Sequence, residues 1–225
     1  MIFSMFRPSD DACIYPLFVP ANMFAVQSLH QLATLATHAA DDAKLAGEAD
    51  ALAAEVQRAL EQYGKTHHPR FGEIWAYEVD GYGNALMMDD ANAPGLLTAA
   101  YLGCASLEDP LYRRTREFAL SDSNPYFFHG NAADGVGGPH VGLNMVWPMS
   151  IMYRALTSTD EREIRQCLIW LRDTTAGTGF MHESFDKDNP AKFSRSWFAW
   201  ANTLFGELVV KLAKQRPLLL AAGLA

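Results

Sequence analysis

Residues 41–64 read Asp-Asp-Ala-Lys-Leu-Ala-Gly-Glu-Ala-Asp-Ala-Leu-Ala-Ala-Glu-Val-Gln-Arg-Ala-Leu-Glu-Gln-Tyr-Gly. Leu45, Ala49, Leu52, Val56, Leu60 and Tyr63 follow one another at intervals of 4, 3, 4, 4 and 3, the spacing of a single helix face. Asp41-Asp42 start this helix and Gly64 stops it. Upstream, Asn22 is read as the cap of a helix carrying Phe24, Ala25, Leu29, Leu32, Leu35 and Ala36. Pro8, Pro16 and Pro20 mark residues 1–21 as a loop. Because only a few residues separate the two helices, the spacing predicts an antiparallel hairpin.

The same pattern recurs downstream. A third helix is expected from Asn92 or Asp90 as cap, with Pro94 in its first turn, Leu96, Leu97, Ala100 and Tyr101 inward, and Gly103 as the stop. Asp109-Pro110 opens a fourth with Leu111, Thr115, Phe118 and Ala119 on one side, and a fifth runs from about Met145 to Leu156. A sixth places Ile164, Cys167, Leu168 and Leu171 inward and takes Gly177 as its C-terminal cap. The seventh carries Trp197, Trp200, Ala201, Leu204, Phe205, Leu208 and Leu212 until Pro217, and an apolar tail runs from Leu218 to Ala225. Plain turns near 39–41, 104–109 and 157–160 alternate with long loops at 1–21, 65–92, 121–143 and 177–196. In a stack of hairpins, alternate connections fall at opposite ends, so the four long loops are predicted to share one end. The expectation is an all-α chain, an α/α hairpin toroid of the (α/α)6-barrel type. It is incomplete, since seven helices are read where six hairpins need twelve. One small β-hairpin is expected, with Ile74–Val79 returning at Ala85–Met88 around Asp80-Gly-Tyr-Gly-Asn84. Residues 1–225 are read as a single catalytic-type domain.

Composition narrows the function. The chain has 225 residues, of which 49% are hydrophobic and 20% charged, enough for a substantial core. The net charge of -8 argues against nucleic acid, and no apolar run of membrane-spanning length appears. Cys13, Cys104 and Cys167 are far apart and odd in number, so buried free thiols are expected rather than a disulfide framework. Met1-Ile-Phe-Ser-Met-Phe6 has neither a basic start nor a small-residue cleavage site, so it does not read as a secretory signal. As written the chain reads as cytoplasmic, but the compartment stays open. The chain begins directly on a motif-like stretch, and its natural start is expected to lie upstream.

Candidate chemistry sits in the long loops. Between Gly177 and Trp200 one carboxylate, Glu183, lies beside His182 and among Phe180, Phe185, Phe193 and Trp197. Aromatic walls around one acid suit a ligand with flat apolar faces and many hydroxyls, such as a sugar. The plainer alternative, that Glu183 caps a helix or pairs with Arg195, stays open. Other loops carry Asp10-Asp11, and Glu78, Asp80, Asp89 and Asp90. Two carboxylates are the minimum for glycoside hydrolysis, one protonating the leaving oxygen and the other acting as nucleophile or as base for water. A capping role for Asp89-Asp90 is an equal alternative. Other chemistries fit less well. His182-Glu183-Ser-Phe-Asp186 is not a zinc helix motif, and His67-His68 lack a spaced second pair. Gly135-Val-Gly-Gly-Pro139 is not a phosphate loop, and His140 reads as a pocket or backbone contact. Neither metal nor cofactor is expected.

Taken together, the chain resembles glycoside hydrolase family 125, the metal-independent exo-α-1,6-mannosidases. The matching stretches are Phe6-Arg-Pro-Ser-Asp-Asp-Ala12, Pro20-Ala-Asn-Met-Phe-Ala-Val26, Tyr77-Glu-Val-Asp-Gly-Tyr-Gly-Asn84, Met88-Asp-Asp-Ala-Asn92 and Gly138-Pro-His140. They continue with Trp147-Pro-Met149, Ala176-Gly-Thr-Gly-Phe-Met-His-Glu-Ser-Phe185 and Trp197-Phe-Ala-Trp-Ala-Asn-Thr-Leu-Phe-Gly-Glu207. The resemblance implies an (α/α)6 barrel that removes non-reducing terminal α-1,6-mannose with inversion and without metal. It implies Asp10 as general acid, with Asp11 as the close alternative, and Glu183 as general base. Arg7, Asp80, Asn84, Asp89, Asp90, Asn92, His140, His182 and Trp200 are expected at the sugar hydroxyls and ring face. The implied partner is an α-mannoside oligosaccharide or N-glycan-derived substrate. Family members are about twice this length, and this chain corresponds to their carboxy-terminal half. The departure predicts open apolar faces on the first hairpin and self-association. It also raises a second reading, a non-catalytic carbohydrate-binding half-barrel.

Overall fold

The computed structural model describes residues 1–221; of the apolar tail read from 218, residues 222–225 lie outside it. One compact unit comprises residues 1–88 and 93–118. In it β1 (Leu17–Phe18) runs directly into α1 (Val19–His38), and α2 (Ala43–Tyr63) follows. Next come β2 (Lys65–His68), β3 (Gly72–Trp75), β4 (Glu78–Val79), β5 (Ala85–Leu86) and α3 (Pro110–Ala119).

Helices α1 and α2 form the predicted hairpin, with His30 Nδ1 3.1 Å from Asp50 Oδ1 across it. The Asp42 carboxylate accepts the Leu45 N–H at 2.9 Å, so the cap is as read. The buried face of α1 is as read only in part, at Ala36 and Leu29. Val19, Met23, Val26, Ala33 and Ala36 of α1 are buried, whereas Leu32 and Leu35 stand 39% and 61% exposed. Ala33 and Ala36 meet Ala46 and Ala49 in one cluster with Leu29 packed against it. Small residues let the two backbones approach closely, and the larger leucines stay at the rim. Helix α1 also begins before Asn22, because Pro20 fits a first turn whose N–H has no helical partner. Asn22 is instead buried and pins the N-terminus, accepting the Ile2 N–H at 2.6 Å and donating to the Ile2 carbonyl at 3.0 Å. Gly64 ends α2 without a left-handed turn; a Cβ there would lie 2.8 Å from the Leu60 carbonyl oxygen.

The third helix expected at 92–102 does not form. Backbone bonds from Ala99 to Leu96, Leu102 to Thr98 and Cys104 to Ala99 span three, four and five residues, so the turns never share one ladder. The Thr98 hydroxyl adds a local alternative by bonding both the N–H and the carbonyl of Gly95.

The second unit comprises residues 89–92 and the chain from 119 onward. It contains β6 (Phe127–Phe128), β7 (Gly135–Val136), a 3-10 turn at Pro139–Val141, β8 (Met145–Val146), α4 (Pro148–Leu156) and α5 (Glu161–Asp173). After these come β9 (Ser184–Asp186), β10 (Phe193–Ser194), α6 (Ala199–Gln215) and α7 (Pro217–Ala221). Helix α4 packs on both α5 and α6. In α5, capped by Asp160 on the Arg162 N–H, the periodic residues Ile164, Cys167, Leu168 and Leu171 are all buried. Each buried Ile or Leu contributes about 1.5–3 kcal/mol. Met145–Val146 is a strand rather than the first turn of α4, because Trp147 precedes Pro148 and is held extended. Gly177 lies beyond the end of α5, whose cap is Thr174. Pro217 opens α7 instead of ending the helical structure.

The all-α expectation is therefore corrected. Among the described residues there are seven α-helices, but also ten short strands in four small antiparallel sheets. They are β1-β4-β5 and β2-β3 in the first unit, and β10-β9-β8 and β6-β7 in the second. The read hairpin exists as β4 and β5, with Glu78 opposite Leu86 and Val79 opposite Ala85. The physical reason for the rest is that long connections over a core cannot leave buried peptide groups unpaired. No helix among the described residues is long and apolar enough to cross a membrane.

Candidate functional site

In the first unit the Ser-Asp-Asp stretch is the tip of a tight hairpin. Phe6 bridges Ala12, the Arg7 N–H donates to the Asp11 carbonyl at 2.8 Å, and the Asp10 N–H donates to the Arg7 carbonyl at 3.0 Å. This is a three-residue turn whose last residue, Asp10, takes the left-handed conformation at φ 69°. Aspartate tolerates that region better than most side chains. Asp10 is exposed and its carboxylate makes no hydrogen bond among the described residues, whereas Asp11 accepts the Ser9 hydroxyl at 2.9 Å.

The base of this hairpin is held by Glu78. Its Oε1 accepts Arg7 Nε at 2.7 Å, and its Oε2 accepts the backbone N–H groups of Ile14 and Tyr15 at 2.8 and 2.9 Å. Both side chains are buried, and the Arg7 guanidinium lies 5.3 Å from the centre of the Tyr77 ring. Arg7 is thus part of the hairpin's anchor. Two residues beyond Glu78, the Asp80 carboxylate folds its own turn, accepting the N–H groups of Tyr82 and Asn84 and the Asn84 side-chain amide at 2.8, 3.0 and 2.6 Å. The Asn84 amide, then the turn N–H of Tyr82, hold the Asp80 carboxyl below the usual carboxylate range.

In the second unit Asp89, Asp90 and Asn92 are buried, and their stretch meets the glycine-rich segment that leads to His140 at Ala91 and Asp90. The Ala91 N–H donates to the Gly137 carbonyl at 2.9 Å, Asp90 accepts the Asn92 N–H at 2.9 Å, and a Cβ on Gly138 would lie 3.3 Å from Asp90. Their capping role is absent, since no helix follows. The Asn92 side-chain oxygen is buried with no hydrogen-bond partner among the described residues. His140 is exposed on the 3-10 turn and starts a chain of rings. His140 to Trp147 is 6.3 Å, Trp147 to Phe198 6.0 Å and Phe198 to Trp200 5.5 Å between centroids. Trp197, ahead of α6, and Trp200, in its first turn, stand 56% and 55% exposed, while α6 buries its Ala201, Leu204, Leu208 and Leu212 face.

Glu183 connects to this chain of rings through Arg195. Its Oε2 lies 3.3 Å from Arg195 Nε, and the Arg195 guanidinium lies 5.6 Å from the centre of the Phe198 ring. The plainer reading of Glu183 as a partner of Arg195 is therefore present, but it is incomplete. The Ser194 hydroxyl donates to the same Oε2 at 3.0 Å, and Oε1 makes no hydrogen bond among the described residues. Glu183 is buried at 6% exposure, with one carboxylate oxygen held by protein donors and the other without a protein donor among the described residues. His182 beside it is buried and lies flat on Phe193, with ring centroids 3.9 Å apart and planes 3° from parallel. Its Nδ1 and Nε2 face the carbonyls of Arg195 and Thr175 at 3.3 and 3.2 Å, so the ring ties the loop together.

The structure thus groups Arg7, Asp10 and Asp11 on one hairpin, with Asp80 and Asn84 in a neighbouring turn of the same unit. It gathers Glu183, His182, His140 and Trp200 in the other, with Asp89, Asp90 and Asn92 around the segment before His140. Sequence reading named Glu78 only as one loop acid among several, and it did not single out Ser194. The signal for Ser194 was its place in the Ser194-Arg195-Ser196 run opposite Glu183, which only strand pairing turns into a contact.

The family profile described as metal-independent α-mannosidase (GH125) matches residues 1–210. A Schizosaccharomyces pombe protein, meiotically up-regulated gene 157 protein, is 48% identical over 221 residues, which is 98% of this chain and 43% of that protein. A Streptococcus pneumoniae metal-independent α-mannosidase, solved in a non-productive complex with α-1,6-mannobiose, is 42% identical with a TM-score of 0.92, over 95% of this chain and 51% of its own. A bacterial glucoamylase solved with acarbose shares the fold alone, at 17% identity and a TM-score of 0.67, over 88% of this chain and 34% of its own. The chain spans about half the length of the relatives it matches. On the profile match and these identities, it belongs to glycoside hydrolase family 125, the family of metal-independent α-mannosidases.

Proposed function

We propose that this chain carries catalytic groups of a glycoside hydrolase that releases non-reducing terminal α-1,6-linked mannose with inversion and without a metal ion. The observation that supports it most is Glu183: a buried carboxylate whose Oε2 is held by Ser194 and Arg195 while Oε1 is left without a hydrogen bond. An oxygen in that position is suited to take a proton from water as the water attacks the anomeric carbon. In the same reading Asp10 gives its proton to the departing glycosidic oxygen. Its exposed carboxyl carries no hydrogen bond among the described residues, whereas Asp11 is engaged by Ser9, which favours Asp10 of the two. The neighbour's α-1,6-mannobiose supports a mannoside oligosaccharide as substrate. Aromatic faces such as that of Trp200 suit stacking on a sugar ring.

The test is hydrolysis of α-1,6-mannobiose in the presence of a chelator, with the anomer formed first followed by proton NMR. The β-anomer is expected at first, and first release of the α-anomer would remove the inverting mechanism. Glu183→Gln keeps the shape but loses the base, so turnover is expected to fall by about 100-fold or more while mannobiose still binds. Unchanged turnover would end the assignment of Glu183. The second reading, a non-catalytic module, is favoured by one observation: Ile2, Phe3, Met5 and Phe6 form an exposed apolar edge, at 47, 75, 78 and 55%. Release of mannose by this chain would rule that reading out.

A further inference from the structure

The Glu183 carboxylate is oriented by a chain of groups that no motif reading assigned. Strands β9 and β10 pair antiparallel with Ser184 directly opposite Ser194. Their hydroxyl oxygens are 2.7 Å apart, and Ser194 Oγ is 3.0 Å from Glu183 Oε2. A serine hydroxyl has one proton to donate. Since an ionised carboxylate only accepts, the Ser194 proton goes to Oε2, and in the contact between the serines Ser184 is the donor. The order is Ser184 to Ser194 to Glu183. Ser184 is fully buried, so its hydroxyl has no water to turn to, and it fixes the rotation of Ser194. The Glu183 N–H also donates to the Ser194 carbonyl at 3.3 Å, which holds the two residues in register.

We propose that Ser194, supported by Ser184, is a positioning residue for the reaction. It fixes the Glu183 carboxylate through Oε2, so that Oε1 is the oxygen presented to water. This rests on the reading of Glu183 as the base. Arg195 reaches the same oxygen, but its side chain is 62% exposed, so its contact competes with solvent and does not fix the orientation by itself. A carboxylate free to rotate about its last bond would offer either oxygen or neither. A hydroxyl hydrogen bond to a charged group, lost from a partly buried site, is the interaction at stake.

The experiment compares Ser194→Ala, Ser194→Thr and Ser184→Ala in the complete chain. Two readouts are used: hydrolysis of α-1,6-mannobiose, and crystal structures of the variants. Ser194→Ala is expected to lower kcat by about tenfold with KM within about twofold, because what it removes is orientation rather than sugar binding. Ser194→Thr keeps the hydroxyl, and its branched side chain suits a strand, so it is expected to restore most of the rate. Ser184→Ala is expected to have a smaller effect of the same sign. In the Ser194→Ala crystal the Glu183 carboxylate is expected to rotate or take two orientations. An unmoved carboxylate in that crystal would overturn the proposal whatever the activity. So would a Ser194→Ala enzyme with wild-type kcat, or a loss that Ser194→Thr does not restore. Glu183→Gln separates the two levels. If it is inactive while Ser194→Ala is fully active, only the positioning role fails; if it retains turnover, the base reading fails and the positioning role with it.

Discussion

Replacing Glu78 with Ala isolates the anchor beneath the Asp10 hairpin. The carboxylate serves Arg7 Nε at 2.7 Å and two backbone N–H groups at 2.8 and 2.9 Å, and both side chains of the pair are buried, at 4% and 0% exposure. Removing one partner of a buried ion pair costs about 3–5 kcal/mol, because the remaining charge stays desolvated. The Ile14 and Tyr15 N–H groups add less, since Ile14 is exposed and water can replace the carboxylate there. A loss of roughly 4 kcal/mol corresponds to a fall in Tm of about 8–16 °C for a chain of this size. Urea and thermal unfolding followed by far-UV circular dichroism measure it. A double-mutant cycle with Arg7→Met and Glu78→Leu separates the charge from the backbone anchoring. The double variant is expected to recover about half the loss, so the coupling is about 2 kcal/mol plus whatever Arg7→Met costs by itself, and the loss that remains is the share owed to the two N–H groups. A single-variant loss below about 1 kcal/mol, or no coupling, would refute the anchor as described here.

Two further perturbations test the packing. Burial pushes the Cys104 thiol up to about 11, so alkylation by iodoacetamide at pH 8 is expected to run roughly 100-fold slower than for a thiol at its ordinary value. The folded state holds that proton more tightly than the unfolded one, so Cys104 is expected to subtract stability as pH rises from about 9 towards 11; a free-thiol alkylation rate in the folded chain would contradict its burial. In Gly137→Ala the new Cβ would overlap the Met145 carbonyl and come 2.8 Å from the Phe128 ring. Backbone must move, so a loss of about 3 kcal/mol is expected in denaturant unfolding, and near-wild-type stability would show that this approach is not as tight as described.

Much of the helical framework was legible because its causes are local. Asp42, Asp109 and Asp160 each accept a backbone N–H at the start of α2, α3 and α5, and the inward residues of α5 follow from period alone. The face of α1 was misread in part because its partner decides it: Ala36 goes inside and Leu29 packs there as read, but against the alanines of α2 it is Ala33 that joins them and not Leu32 or Leu35. The sheets were largely missed because strands of two to four residues carry too little alternation to read, and their existence depends on a partner elsewhere in the chain. The aspartates at 89–90 looked like a helix cap because the cap signal is identical whether or not the following turns find one ladder.

The candidate site divides the same way. The sequence by itself carried the family, the N-caps of α2, α3 and α5, and a short set of loop acids as candidates for the chemistry. Through the family motif it put Glu183 forward as the base and left Glu78 as one loop acid among several. How each carboxylate is held is a matter of tertiary structure alone. Glu78 meets three donors across both oxygens, from residues 63 to 71 positions away, and is fully committed to structure. Glu183 is held on one oxygen by residues brought back by a strand turn, and keeps the other. Which lone pairs of a carboxylate are filled depends on groups distant in sequence, and that is a property of folding rather than of any local stretch.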